Sequence, residues 1–271
     1  MKFLDQLADI TKKNNSLLCV GLDPDLEKLP AHLHSEKAQV FAFNREIIDA
    51  THDLVCAYKV QVAFYSAFAK EEELAQTITY IHEHYPQVPV ILDAKRNDIS
   101  NTASLYVKEA FDRYKADAVT VNPFMGMDSL QPFLEQKDKG IMILCRTSNA
   151  GAKDLQDLKI VDGKPLYWHI ANKAVKQWNK NNNVLLVIGA TYPQELAEIR
   201  ALTNDMTFLV PGVGAQGGDI EATVRSGINS NGAGLIINSS RTIIYASKEK
   251  DFAVAARKIA EQTRDQINQF R

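Results

Sequence analysis

The 271-residue chain is 45% hydrophobic and 24% charged, the balance of a globular protein able to bury a sizeable core. Its formal net charge of -2 at pH 7 supplies no basic field for a phosphate backbone, which argues against a nucleic-acid partner while leaving anionic small molecules open. Three widely spaced cysteines, Cys19, Cys56 and Cys145, form neither a CxxC pair nor a disulfide framework; they read as core thiols of a cytoplasmic protein.

The first segment, MKFLDQLADITKKNN, places apolar residues at 3, 4, 7 and 10, the spacing of a short amphipathic helix. Acids interrupt it where an export signal needs an apolar stretch. No apolar run approaches the roughly 18 residues of a membrane span, so the chain is expected to be soluble. Eight β-branched-rich runs then follow: SLLCVGLD (16–23), CAYKVQ (56–61), PVILDAK (89–95), AVTVNP (118–123), IMILCRT (141–147), VLLVIGA (184–190), TFLVPGV (207–213) and GLIINSS (234–240). Between them lie segments with three- and four-residue apolar periodicity, among them FAFNREIIDATHDL, NTASLYVKEAFDRY, PLYWHIANKAVKQWNK and PQELAEIRAL. KEKDFAVAARKIAEQTRDQINQF closes the chain with Phe252, Ala255, Ala256, Ile259 and Ile267 on one face.

Near-continuous apolar strands are covered on both faces, as happens when parallel strands are joined by crossover helices. Eight such units point to an α/β fold, a (β/α)8 TIM barrel formed as a single domain over residues 1–271. The same alternation also admits a doubly wound open sheet. The long polar connection NAGAKDLQDLKIVDGK (149–164) reads as a lid or a surface excursion.

Polar side chains gather where the strands end, the face on which barrel enzymes place their chemistry. Asp23 closes strand 1, Lys59 lies in strand 2, and Asp93 and Lys95 close strand 3; Ser148 and Asn149 follow strand 5, Gln216 strand 7 and Arg241 strand 8. A single polar residue there can simply mark the exit to solvent, but the set is harder to explain that way. Asp93 and Lys95, two apart on a strand, share a face, and Asp98 lies three further on. Flanking acids favour the ammonium form of a lysine, which suits Lys95 to donating a proton rather than forming a Schiff base. A structural ion-pair network at the rim is the plainer alternative.

PGVGAQGGD (211–219) spaces Gly212, Gly214 and Gly217 as GxGxxG, but it follows the seventh strand, and the next strand ends in INSSR without the acid a dinucleotide ribose requires. A phosphate site is the better reading, with glycines permitting close backbone approach, a helix near 219–227 offering its positive end, and Arg241 supplying a guanidinium. The six histidines show no metal-ligand spacing and are read as surface residues. Trp168 and Trp178 are read as packing residues.

GLDPD near the start, LDAKRNDI, TSNAGA, PGVGAQGG and SSR, in this order, resemble the orotidine 5'-phosphate decarboxylase family, most closely its longer bacterial branch, over about residues 19 to 245. The resemblance implies a (β/α)8 barrel working as a homodimer on a small-molecule nucleotide, orotidine 5'-monophosphate, in pyrimidine synthesis, with no metal and no organic cofactor. It implies a charged catalytic array of Asp93, Lys95 and Asp98, with Asp98 entering the partner's site beside Ile99. Asp23 and Lys59 match ribose-contacting residues, Thr102 a partner-derived residue near ribose and phosphate, Ser148 the residue at the pyrimidine edge, and Gln216 and Arg241 the phosphate ligands. Ser240 and Ala150 depart from the glycine and proline of many relatives and place the closure of their loops in question. A magnesium-dependent barrel decarboxylating a sugar-acid phosphate shares DxKxxD but needs extra acidic ligands, and a silent nucleotide-binding barrel would lose the charged array that this chain keeps.

Overall fold

The computed structural model describes residues 1–213 and 217–271. Eight parallel strands close on themselves in chain order: β1 (Leu18–Gly21), β2 (Ala57–Gln61), β3 (Val90–Arg96), β4 (Ala118–Val121), β5 (Gly140–Arg146), β6 (Val184–Ile188), β7 (Phe208–Pro211) and β8 (Leu235–Ser239), with β8 returning to β1. Closure settles the choice between barrel and open sheet in favour of the barrel. Nearly all strand residues are buried, because the sheet fills its interior with side chains and is wrapped outside by helices.

The helices are α1 (Phe3–Lys13), α2 (Gln39–Thr51), α3 (Ala63–Ser66), α4 (Glu71–His84), α5 (Ser100–Lys108), α6 (Met127–Leu134), α7 (Leu166–Lys173), α8 (Pro193–Thr203), α9 (Ile220–Gly227), α10 (Arg241–Ile244) and α11 (Phe252–Gln269). Two of the periodic segments do not run through as single α-helices: α5 and α7 each widen into a π turn, at Glu109–Arg113 and Ala174–Trp178. These turns bury Phe111 and Trp178. Neither α4 nor α6 is among the segments singled out by periodicity; α6 is eight residues long, contains Pro132 and begins after Gly126 at φ 89°.

Helix α1 lies across the N-terminal face of the barrel. Its buried residues Phe3, Leu7 and Ile10 face inward, Phe3 N–H donates to Asp138 O, and Gln6 donates to Pro86 O. Gly140 opens β5 without a side chain because a Cβ there would lie 2.5 Å from the Phe3 ring. All three cysteines are buried, as expected of core thiols. The histidines are less uniformly superficial than expected: His82 is half-buried and bonded to Asp117, and His52 stacks on Tyr85. Among the described residues no helix is long and apolar enough to cross a membrane.

Candidate active site

The C-terminal ends of the strands surround a cleft of about 540 Å³, within the range of small-molecule sites. Asp23, Lys59, Asp93, Lys95, Ser148 and Arg241 all line it, so six of the nine predicted site residues meet in one place.

At its centre is Asp93, 7% exposed. Its Oδ1 accepts from Lys95 Nζ at 2.7 Å and from the Thr120 hydroxyl at 2.8 Å. Its Oδ2 accepts from Gln61 Nε2 at 3.1 Å and lies 3.1 Å from Lys59 Nζ. Lys59 is held in turn by Asp23 at 3.5 Å. The four charges thus alternate in sign along the chain Asp23, Lys59, Asp93, Lys95. Burial raises the Asp93 carboxyl, but Lys59 and Lys95 outweigh it and hold the group down at about 2. Burial likewise opposes the Lys59 ammonium, yet Asp23 and Asp93 hold its pKa above the ordinary lysine value. Lys59 is thereby committed to its partners, whereas the Lys95 side chain is 44% exposed and faces the open cleft.

Local geometry explains how Lys95 reaches this position. The pairing of β3 with β4 runs in register from Ile91 to Leu92, then shifts, so that Arg96 pairs with Val121. Lys95 sits in this bulge at φ 48°, in the left-handed region that side chains other than glycine seldom adopt. The simple alternation that places Asp93 and Lys95 on one face is therefore broken; they meet because the bulge turns the lysine back.

The loops after β5, β7 and β8 form much of the rest of the wall. Gly189 has no Cβ because Ser148 crosses it, 2.5 Å from where that atom would stand. The 149–164 excursion is tied to the barrel. Arg146, fully buried, faces Asp157 at 2.7 Å and stacks 3.7 Å from the Tyr192 ring, while Thr147 N–H donates to Gln156 Oε1 at 2.8 Å. Gln156 consequently lines the cleft. Ser240 donates its hydroxyl to Gly21 O at 2.9 Å, joining the last strand to the first beneath Asp23. Ala150 begins a short 3-10 turn, Ala150–Asp154.

Two of the expected residues do not line this cleft, and a third falls outside the described residues. Asp98 accepts from the Ile99 N–H and makes no contact with Lys95, and Thr102 is exposed on α5. Gln216 and Gly214 lie outside the described residues. Of the remaining phosphate-loop glycines, Gly212 (φ 99°) and Gly217 (φ 82°) occupy left-handed conformations, and Gly212 lines the cleft. The helix expected near 219–227 is present as α9, and its N-terminus carries a cap. Asp219 caps α9 by accepting from Ala222 N–H at 2.7 Å, so part of that end is already answered by a carboxylate. Gln61 and Thr120, both bonded to Asp93, were missed because each looks like an ordinary strand residue. The available signal was a polar side chain interrupting an apolar run. Among the described residues no three His, Cys, Asp or Glu side chains are grouped to hold a metal ion.

The chain as a whole has close relatives. Residues 16–259 match the family model described as "Orotidine 5'-phosphate decarboxylase / HUMPS family". The chain is 58% identical to orotidine 5'-phosphate decarboxylase of Ralstonia pickettii over 100% of both sequences. It is also 58% identical to that of Cellvibrio japonicus over 99% of this chain and 98% of the relative. Among solved structures, Leishmania donovani OMP decarboxylase superposes with a TM-score of 0.84 at 38% identity, covering 99% of this chain and 100% of that one. Leishmania donovani UMP synthase gives 0.89 at 39% identity, covering 100% of this chain but 56% of that one. With full-length relatives at this identity and a barrel that carries the charged cleft, the chain belongs to the orotidine 5'-phosphate decarboxylase family.

Proposed function

We propose that this single-domain chain decarboxylates orotidine 5'-monophosphate to uridine 5'-monophosphate without a metal or organic cofactor, using Lys95 as electrostatic stabiliser and proton donor. The carrying observation is the buried alternation of Asp23, Lys59, Asp93 and Lys95, with its last ammonium in the open cleft. Breaking the bond from C6 to the carboxylate leaves the electron pair in an sp2 orbital at C6, orthogonal to the ring π system, and carbon dioxide departs. A fixed ammonium beside that carbon stabilises the developing anion far more than a mobile one in water. One Lys95 N–H proton then passes to C6, and the neutral amine regains a proton from solvent. Asp93 holds the ammonium in place and is assigned a ground-state contribution by crowding the substrate carboxylate.

Asp23 and Lys59 are assigned to the ribose, Ser148 to the pyrimidine edge, and Arg241 with Gln216 to the phosphate. The phosphate grip is remote from C6, so its binding energy can favour the closed, reactive state. Asp98 and Thr102 are assigned to the site of a second copy. That reading is supported by their position outside their own cleft and by exposed apolar side chains nearby: Ile99, Leu105, Phe124 and Met125.

The test is a spectrophotometric assay with orotidine 5'-monophosphate in the presence and absence of EDTA. Loss of substrate absorbance that survives the chelator is expected. No turnover by folded protein, or turnover abolished by EDTA and restored by magnesium, refutes the proposal.

A further inference from the structure

We propose that Thr120 is a positioning residue for Lys95, acting on its backbone and its ammonium group through a single hydroxyl; the inference rests on the Lys95 reading above. Thr120 lies on β4 opposite the bulge and is 1% exposed. Its Oγ1 accepts from the Lys95 backbone N–H at 2.9 Å and donates to Asp93 Oδ1 at 2.8 Å. The same Oδ1 accepts from Lys95 Nζ at 2.7 Å. The four groups form a closed circuit, from the lysine main chain through the threonine and the carboxylate to the lysine side-chain tip.

This circuit answers two local needs. The shifted register at the bulge directs the Lys95 N–H to a hydroxyl instead of a strand carbonyl, and a buried N–H left alone is costly. A hydroxyl also has one proton to give. With the Lys95 N–H occupying an oxygen lone pair, that proton is directed to Asp93, which fixes the carboxylate facing the ammonium. The positive φ of Lys95 is thus held by the group that orients its counter-ion.

The experiment compares Thr120→Val, which keeps shape and loses the hydroxyl, with Thr120→Ser, which keeps the hydroxyl. Steady-state kinetics on orotidine 5'-monophosphate are measured together with uridine 5'-monophosphate affinity, and Lys95→Ala serves as control. The valine variant is expected to lose kcat by at least about tenfold while KM and product affinity change by less than about threefold, and serine is expected to recover kcat to within about threefold of the parent. A purely structural role would lower thermal stability without this split between kcat and KM. Valine turnover within about twofold of the parent, or a serine variant as slow as valine, overturns the proposal. Should the valine chain not fold, Thr120→Ala is held to the same outcomes. An active Lys95→Ala would instead defeat the underlying reading, whereas an inactive Lys95→Ala beside a fully active Thr120→Val defeats only the role of the threonine.

Discussion

Replacing Asp93 with asparagine keeps the shape of the side chain and removes the charge on which both lysines depend. Asp93 is lowered from 3.8 to about 2, so its ionised form is favoured in the folded chain by nearly two pH units. At roughly 1 to 2 kcal/mol per unit the carboxylate contributes on the order of 2 kcal/mol to stability. At 7% exposure, solvent screening removes little of this. Because the folded pKa is depressed, the contribution is fully present above the unfolded value and disappears as pH falls through about 4 towards 2. Asp93→Asn should therefore be less stable than the parent by a constant amount above about pH 5, and the gap should narrow in acid. Urea unfolding followed by tryptophan fluorescence, repeated across that pH range, reads the difference directly. An asparagine variant as stable as the parent at neutral pH, or a gap that does not narrow in acid, would show that the two ammonium groups do not stabilise this carboxylate.

Mixing inactive Lys95→Ala and Asp98→Ala chains should restore one working site per mixed dimer; activity is measured after subunit exchange has been verified, and no recovery refutes the shared site. Among the described residues, Asp157→Ala leaves the buried Arg146 guanidinium with the Thr147 carbonyl and the Tyr192 ring. Breaking a buried pair costs up to about 5 kcal/mol, but Asp157 is partly exposed, so a loss of about 2 kcal/mol is expected. Thermal unfolding should show it as a drop of roughly 4 to 8 °C; a change of about a degree or less contradicts the latch. Arg241→Ala should lower kcat/KM for the nucleotide by roughly 10- to 150-fold, from about 1.5–3 kcal/mol for a charged hydrogen bond, and leave turnover of the phosphate-free nucleoside unchanged. Equal losses on both substrates would remove Arg241 from the phosphate site.

The fold was legible because parallel barrels leave a plain trace. All eight apolar runs contain strands of the barrel, since burial on both faces demands uninterrupted β-branched residues there. Short helices left less trace, and α6, with Pro132 inside it, follows a pattern that periodicity alone does not capture. At the site, charges were legible because a strand end rich in Asp and Lys is conspicuous. Their supports were not: Thr120 suits a strand on propensity alone, and its role arises only from a bulge between β3 and β4. Arg146, within the run IMILCRT, carries no sequence signal of its role, yet it is fully buried and meets Asp157, eleven residues on.

The helix seated beneath the strands has a consequence for traffic. With α1 stoppering one end and side chains filling the bore, the barrel is a vessel with a single neck. On the proposed chemistry, the gas formed and the nucleotide left behind must depart by the route the substrate used to enter. The order in which they escape is then governed by the loops around the rim, whatever the speed of bond cleavage below.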